Sequence, residues 1–147
     1  MQDLSNSRSI EMRQRMELLA GQGQCYFCKE GQNLFEKTPL HEGRYWYVTY
    51  NDSPYKGAVT HVMVVPKRHL TQPEELTGDE LVELYQLMIP WLRENLQIQG
   101  ASALFRFGDT KLTGATLQHF HVHFIHGVER SGPGHSPIWA VVGFQKP

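Results

Sequence analysis

His119, His121 and His123 occupy alternate positions of the run His119-Phe120-His121-Val122-His123-Phe124-Ile125. Side chains of an extended chain repeat every two residues, so the three imidazoles share one face and Phe120, Val122 and Phe124 the other. Same-face neighbours lie roughly 6.5–7 Å apart, a span over which one phosphate group can touch two rings. On a helix these histidines would scatter over different faces, and their aromatic and β-branched neighbours favour a strand. Imidazole can act as nucleophile, acid, base or metal ligand. The run therefore suits phosphoryl chemistry, or coordination of a catalytic ion. The bland alternative is a polar strand face, but three of the chain's eight histidines fall within five residues here.

Cys25-Tyr26-Phe27-Cys28 is the second cluster. Two thiolates at this spacing can clamp a tetrahedral metal. The same pair can be a redox couple or two small hydrophobes. No second Cys-x-x-Cys follows, so a zinc site has to be completed by histidine or carboxylate, and a Cys2His2 set is arithmetically available. Residues 111–116 read as a small polar loop feeding the histidine run. Gly114 permits close backbone approach and Thr116 offers a hydroxyl, so the loop can present donors to a phosphate oxygen. Without the histidines it would read as a hairpin turn.

The chain has 147 residues, 40% hydrophobic and 20% charged, with a net charge of −1. Those values suit one soluble globular domain. They give no reason to expect a nucleic-acid partner. No stretch approaches the ~20 apolar residues of a membrane span, so no membrane association is expected. Residues 1–20 carry Arg8, Glu11, Arg13, Arg15 and Glu17 and no apolar signal core, so the expected compartment is the cytoplasm.

The positioning elements follow from periodicity and punctuation. A helix is predicted over 5–20, capped by Ser5, Ser7 or Ser9 and stopped at Gly21. Its stripe of Ile10, Leu18 and Leu19 is thin, so it reads as peripheral, packed on the domain or on a partner subunit. Residues 21–24 read as a flexible joint, which makes 1–24 an N-terminal helical extension. Strands are predicted over 34–37, 44–50, 61–65, 101–107 and 138–144, the last with Trp139 as an edge aromatic in the core. One long helix is predicted over 77–97. Thr77 and Glu80 form its capping box, and Leu81, Leu84, Tyr85, Met88, Trp91 or Leu92, and Leu96 form its buried stripe. Pro90 should kink or break it by clashing with the Gln86 carbonyl. Residues 127–137 read as a loop. The fold expected is α+β: an antiparallel sheet of about five strands, with the long helix packed on it.

Together these motifs resemble the histidine triad (HIT) superfamily of nucleotide hydrolases and transferases. The histidine run resembles its His-φ-His-φ-His-φ-φ signature, where φ is apolar. Thr60 through His69 resembles its strand ending in Val-Pro-Lys-x-His, and Gly114 and Thr116 stand where it places a glycine and a hydroxyl residue. The Cys-x-x-Cys resembles the start of its zinc-containing members. These anchors occur in the family's order over residues 25–125. Where the family often carries an asparagine, residues 106–109 contain none.

The resemblance implies that 25–147 is a HIT-like catalytic domain. His121 would be the nucleophile toward an α-phosphorus. His123 would contact the phosphate and help protonate the leaving group, and His61 would be an additional active-site histidine. Gly114 and Thr116 would bind phosphate, and Asn51 falls near the nucleoside-binding position. Cys25, Cys28, His69 and His119 would hold a structural zinc, with no organic cofactor. The implied substrate is a purine nucleotide conjugate, either a phosphoramidate or a dinucleoside polyphosphate, and the implied partner is a second copy in a homodimer. Two readings compete: a non-catalytic, zinc-stabilised nucleotide-binding domain, and a metalloenzyme using the triad histidines as ligands.

Overall fold

Trp46, Val48, Val62, Val64, Val122 and Phe124 project the same way from three neighbouring strands and are buried against a helical layer. The computed structural model that shows this describes residues 9–133, 136–140 and 142–143. The sheet is fully antiparallel, with strand order β1-β2-β3-β5-β4. Its strands are β1 (His41–Glu42), β2 (Trp46–Tyr50), β3 (Thr60–Pro66), β4 (Ser102–Phe105) and β5 (Val122–His126). The α+β architecture expected from the pattern is the one observed. No helix among the described residues is long and apolar enough to cross a membrane.

The helical layer spans α3 (Gly78–Glu83), a π turn (Leu84–Met88) and α4 (Ile89–Asn95). Thr77 starts it with the expected capping box. Ahead of Pro90 the regular α pattern is interrupted: the Ile89 N–H reaches back five residues to the Leu84 carbonyl. That widened turn accommodates the proline one step later. Leu84, Met88 and Leu92 form the buried stripe, whereas Leu81 and Tyr85 are exposed. The wider turn rotates the helix face away from ideal 3.6-residue spacing.

On the other sheet face, α1 (Ile10–Gly21) packs Met16 and Leu19 against Tyr26, Phe27, Tyr47, Met63, Val65 and Leu117. Ser9 caps α1 by accepting the Met12 N–H, and Ile10 and Leu18 face solvent; Ser5 and Ser7 lie outside the described residues. The expected flexible joint is a hydrogen-bonded helix stop. Gln24 N–H bonds the Leu19 carbonyl at 2.9 Å and Gly23 N–H the Ala20 carbonyl at 3.1 Å, with Gly23 at φ +66°. This is a Schellman cap, which needs a left-handed residue at that point.

Three further sequence expectations fail. Residues 34–37 form no strand; α2 (Lys29–Leu34) and its cap occupy them. The chain turns from Cys28 directly into this helix, and a Cβ on Gly31 would sit 2.2 Å from the Cys25 carbonyl oxygen. The described residues of 138–144 form no strand, and Trp139 is exposed rather than in the core. Part of the loop over 111–116 is helical: α5 (Thr110–Thr113) ends at Gly114 in the left-handed conformation. β1 went unforeseen because two residues are too short to show a period.

Glu80 ties the helical layer to the segment after β3. Its oxygens accept Arg68 Nε and Nη2 at 2.6 and 2.9 Å and the Thr77 N–H at 2.8 Å. The Arg68 guanidinium holds this carboxyl down to about 2, with burial opposing and Thr77 assisting. An unfolded carboxyl titrates near ~4.3. The contribution is therefore full above that value and is lost as pH falls through the folded value of about 2. Replacing Arg68 by Met should lower stability at neutral pH by about 1–2 kcal/mol, since Arg68 is itself half exposed and screened. In denaturant titrations the gap from the native chain should close on acidification below ~4.3; a gap independent of pH would contradict it.

Candidate active site

β3 and β5 set the centre of the site. Met63 pairs with His123 and His61 with Ile125, so the two histidines are diagonal neighbours on one sheet face. Diagonal cross-strand side chains are within reach of one another, and His61 Nε2 lies 2.9 Å from His123 Nδ1. The Tyr55 N–H donates to His61 Nδ1 at 3.1 Å. A neutral His61 then carries its proton on Nε2 and donates to His123 Nδ1, which assigns the His123 proton to Nε2. Asn51 Oδ1 accepts the Ser53 N–H at 2.8 Å, and its Nδ2 lies 3.2 Å from His61 Nε2 and 3.5 Å from His123 Nδ1. The Tyr55 ring stacks on His61 at 4.8 Å.

β5 begins at Val122, so His119 and His121 lie on the segment entering it rather than within the strand. Alternation nevertheless holds. Phe120, Val122 and Phe124 are in the core, and the His121 ring lies 4.8 Å from that of His123 on the opposite side. His121 Nδ1 is 2.8 Å from the His119 carbonyl oxygen. Only an N–H can make that bond, so Nε2 carries the lone pair. Burial pushes this imidazole down to about 4; the bond to the His119 carbonyl opposes and the Arg106 charge assists. His121 is therefore neutral at pH 7, with an unprotonated Nε2 beside the His123 Nε2–H.

His119 faces a different neighbourhood. Its Nδ1 lies 3.4 Å from Cys25 Sγ and 3.6 Å from Cys28 Sγ, and His69 Nδ1 lies 3.5 Å from Cys28 Sγ. All four ligand atoms fall within 4.8 Å of one another. A tetrahedral zinc with ~2.3 Å bonds to sulfur and ~2.0 Å bonds to nitrogen would hold S and N about 3.5 Å apart. His119 Nε2 lies 2.9 Å from the Pro66 carbonyl oxygen, which places the proton there and leaves Nδ1 for a metal. Burial pushes His119 down to about 4, the neutral form a ligand requires. Burial, with Cys25 close by, pushes the Cys28 thiol up to about 12. A thiol so raised gives up its proton readily only with a cation beside it. The residues fit a structural zinc.

No protein-family model matches the sequence, and no curated protein matches it. Solved structures do match. A HIT family hydrolase from Clostridium thermocellum superposes with TM-score 0.57 at 24% identity, covering 74% of this chain and 94% of that one. A hypothetical histidine triad nucleotide-binding protein from Sulfolobus tokodaii gives TM-score 0.57 at 22% identity, covering 83% and 82%. A Zn-bound histidine triad family protein from Mycobacterium smegmatis gives 0.51 at 18%, covering 76% and 81%.

This chain has the histidine triad fold.

Within that fold, the residues singled out from the sequence fall into two groups. Cys25, Cys28, His69 and His119 converge on one point. His61, His121, His123 and Asn51 converge on a second. Phe27 separates the groups, its ring 5.8 Å from His119 and 4.9 Å from His121. The three triad imidazoles thus do not meet at one ion: His119 turns to the thiols. Gly114 ends α5 at φ +75°, and Thr116 is half-buried on the segment that follows.

Two residues of the site escaped sequence reasoning. Arg106 continues β4 toward the triad. It donates from Nε to the Thr113 carbonyl at 3.0 Å and from Nη2 to the Tyr55 hydroxyl at 2.9 Å, and its Nη1 lies 3.4 Å from His123 Nε2. Tyr55 sits in a turn-rich stretch where nothing marks one tyrosine above another. Arg106 did leave a signal: it alternates with Leu104, which pairs with His123, so its side chain belongs on the histidine face.

For the metal cluster, elemental analysis should find about one zinc per chain. Cys28→Ser should release it and lower the melting temperature by on the order of 10 °C, the effect of a few kcal/mol in a chain this long. Metal-free protein of undiminished stability would contradict the reading.

Proposed function

We propose that this protein is a nucleotide hydrolase or transferase acting through a nucleotidyl-histidine formed on His121. The observation that supports it most is the His121 tautomer. The His119 carbonyl holds its Nδ1–H at 2.8 Å, so the lone pair is on Nε2, and burial keeps the ring neutral at pH 7. A neutral nitrogen nucleophile is what attack on an α-phosphorus needs. The Nε2–H of His123, in the neighbouring ring, is placed to protonate a departing atom.

The sequence of events balances as follows. His121 Nε2 forms a bond to phosphorus, and the bond to the leaving group breaks with its electron pair going to that group, assisted by His123. Water then gives a proton to the His123 Nε2 vacated in the first step and adds its oxygen to phosphorus, while the N–P bond breaks and the pair returns to His121 Nε2. Another acceptor in place of water makes the reaction a transfer. The Thr116 hydroxyl, the backbone at Gly114 and the Arg106 guanidinium would stabilise charge on the phosphate oxygens. Asn51 orients the His61–His123 pair and borders the nucleoside side. The substrate is a purine nucleotide conjugate, a phosphoramidate or a dinucleoside polyphosphate. A zinc held by Cys25, Cys28, His69 and His119 would fix the chain entering β5 and contribute structure. The active form is a homodimer, as the resemblance implies.

The test is turnover of an adenosine 5′-phosphoramidate and a dinucleoside polyphosphate in the presence of a chelator. His121→Ala should reduce kcat on the order of 10³-fold or more while nucleotide still binds. His123→Ala should cost roughly 10²–10⁴-fold, as loss of a general acid does. Unchanged kcat in His121→Ala, or absence of turnover in the native chain, would overturn the proposal.

A further inference from the structure

We propose that Phe27 is a positioning residue for the reaction, acting through the His121 ring rather than on substrate. This rests on the reading of His121 as nucleophile just given. A nucleophilic imidazole works only when its bare nitrogen faces phosphorus. Among the described residues, the His121 ring has one hydrogen bond, from Nδ1 to the His119 carbonyl two residues back in the same segment. The torsion that spins an imidazole is broad. A half-turn about it would set a carbon against that carbonyl and another carbon where Nε2 stood. One neutral hydrogen bond opposes such a turn only modestly.

Ring packing supplies the rest. Two rings bound the His121 imidazole. That of His123 lies 4.8 Å away at 65°, and that of Phe27 lies 4.9 Å away at 54°. His123 belongs to the chemistry, whereas Phe27 has no group that reacts. Phe27 is 5% exposed, and its ring also meets the His119 ring edge-on, 5.8 Å away at 74°. It therefore packs on the nucleophile and on the residue whose carbonyl anchors the nucleophile.

A wall orients its neighbour only if it is fixed itself. The Phe27 carbonyl accepts the Tyr47 hydroxyl at 2.7 Å. The Cys28 N–H donates to the Cys25 carbonyl at 3.2 Å and closes the turn around Phe27. Gln32 Nε2 donates to the Tyr26 carbonyl at 2.6 Å, and the Tyr26 hydroxyl donates to Asp52. The Tyr26 ring then lies edge-on to Phe27, 5.4 Å away. Behind both stand Met16 and Leu19 of α1, in the same cluster. The helix expected to be peripheral thus backs the wall of the nucleophile. Such support matters because a displacement of about 1 Å at a reacting group can cost on the order of 10²-fold in rate.

The experiment reads Phe27 variants in three ways. These are kcat on an adenosine 5′-phosphoramidate, the Kd of adenosine 5′-monophosphate, and the His121 tautomer from two-bond proton–nitrogen NMR correlations. Phe27→Leu fills most of the space without a ring. It should lower kcat by about 10–100-fold and leave Kd within about twofold of native. The single Nδ1–H tautomer of the native His121 should become a mixture. Phe27→Met, also ringless and adaptable in packing, carries the test should Phe27→Leu fail to fold. A raised Kd with kcat unchanged would make Phe27 a wall against the substrate. Loss of zinc in step with the loss of kcat would trace the effect to the cysteine cluster. Unchanged kcat and tautomer would leave Phe27 a core residue only. Each of these three results overturns the proposal and leaves the His121 reading intact. Absence of turnover by the native chain would instead remove the His121 reading, and this inference with it.

Discussion

Burial of Phe120, Val122 and Phe124 in the layer between sheet and helix is the constraint on which the site depends. Each buried side chain contributes on the order of 2 kcal/mol. A slip of one residue would take all three out of this layer and put imidazoles in their place, so this segment has a single register. Because the apolar residues are held on one side, His119, His121 and His123 are held on the other. The imidazole face is thus specified by the residues between the histidines.

The same segment then divides its histidines between two tasks. His119 sends Nδ1 toward the thiols, anchors Nε2 on the Pro66 carbonyl, and offers its own carbonyl to His121 Nδ1. One residue therefore links the metal cluster to the tautomer of its neighbour. Phe27, set between the two cysteines, packs on both rings. A metal that holds Cys25, Cys28 and His119 would in this way set how the His121 ring is presented, while standing apart from the pocket where phosphate would bind.

Much of this was legible from residue types and spacing. The two-residue alternation placed the triad on one face, the Thr77–Glu80 pair located the helix start, and the apolar run at β3 identified a strand. What was not legible has physical causes. The π turn that accommodates Pro90 changes the helical period, so Leu81 and Tyr85, apolar at the right spacing for an ideal helix, are outside. Residues 34–37 look extended in composition, but the turn out of the cysteine pair and the close approach at Gly31 commit the chain to a helix. Tyr55 became visible as a site residue only in three dimensions, and Arg106 left no more than its alternation with Leu104. Their roles come from meeting each other and His123 across separate strands and loops, a relation no local pattern records.

The proposed chemistry requires one particular imidazole nitrogen to bond to phosphorus. Rapid acid-free quenching of the native protein during turnover of a nucleotide conjugate, followed by peptide mass mapping, measures this directly. One nucleoside monophosphate should appear on the peptide carrying the triad, with fragmentation assigning it to His121. An adduct on His123 or His61, or full turnover with no adduct at any quench time, would contradict the arrangement in which the central ring alone presents a bare nitrogen to the pocket.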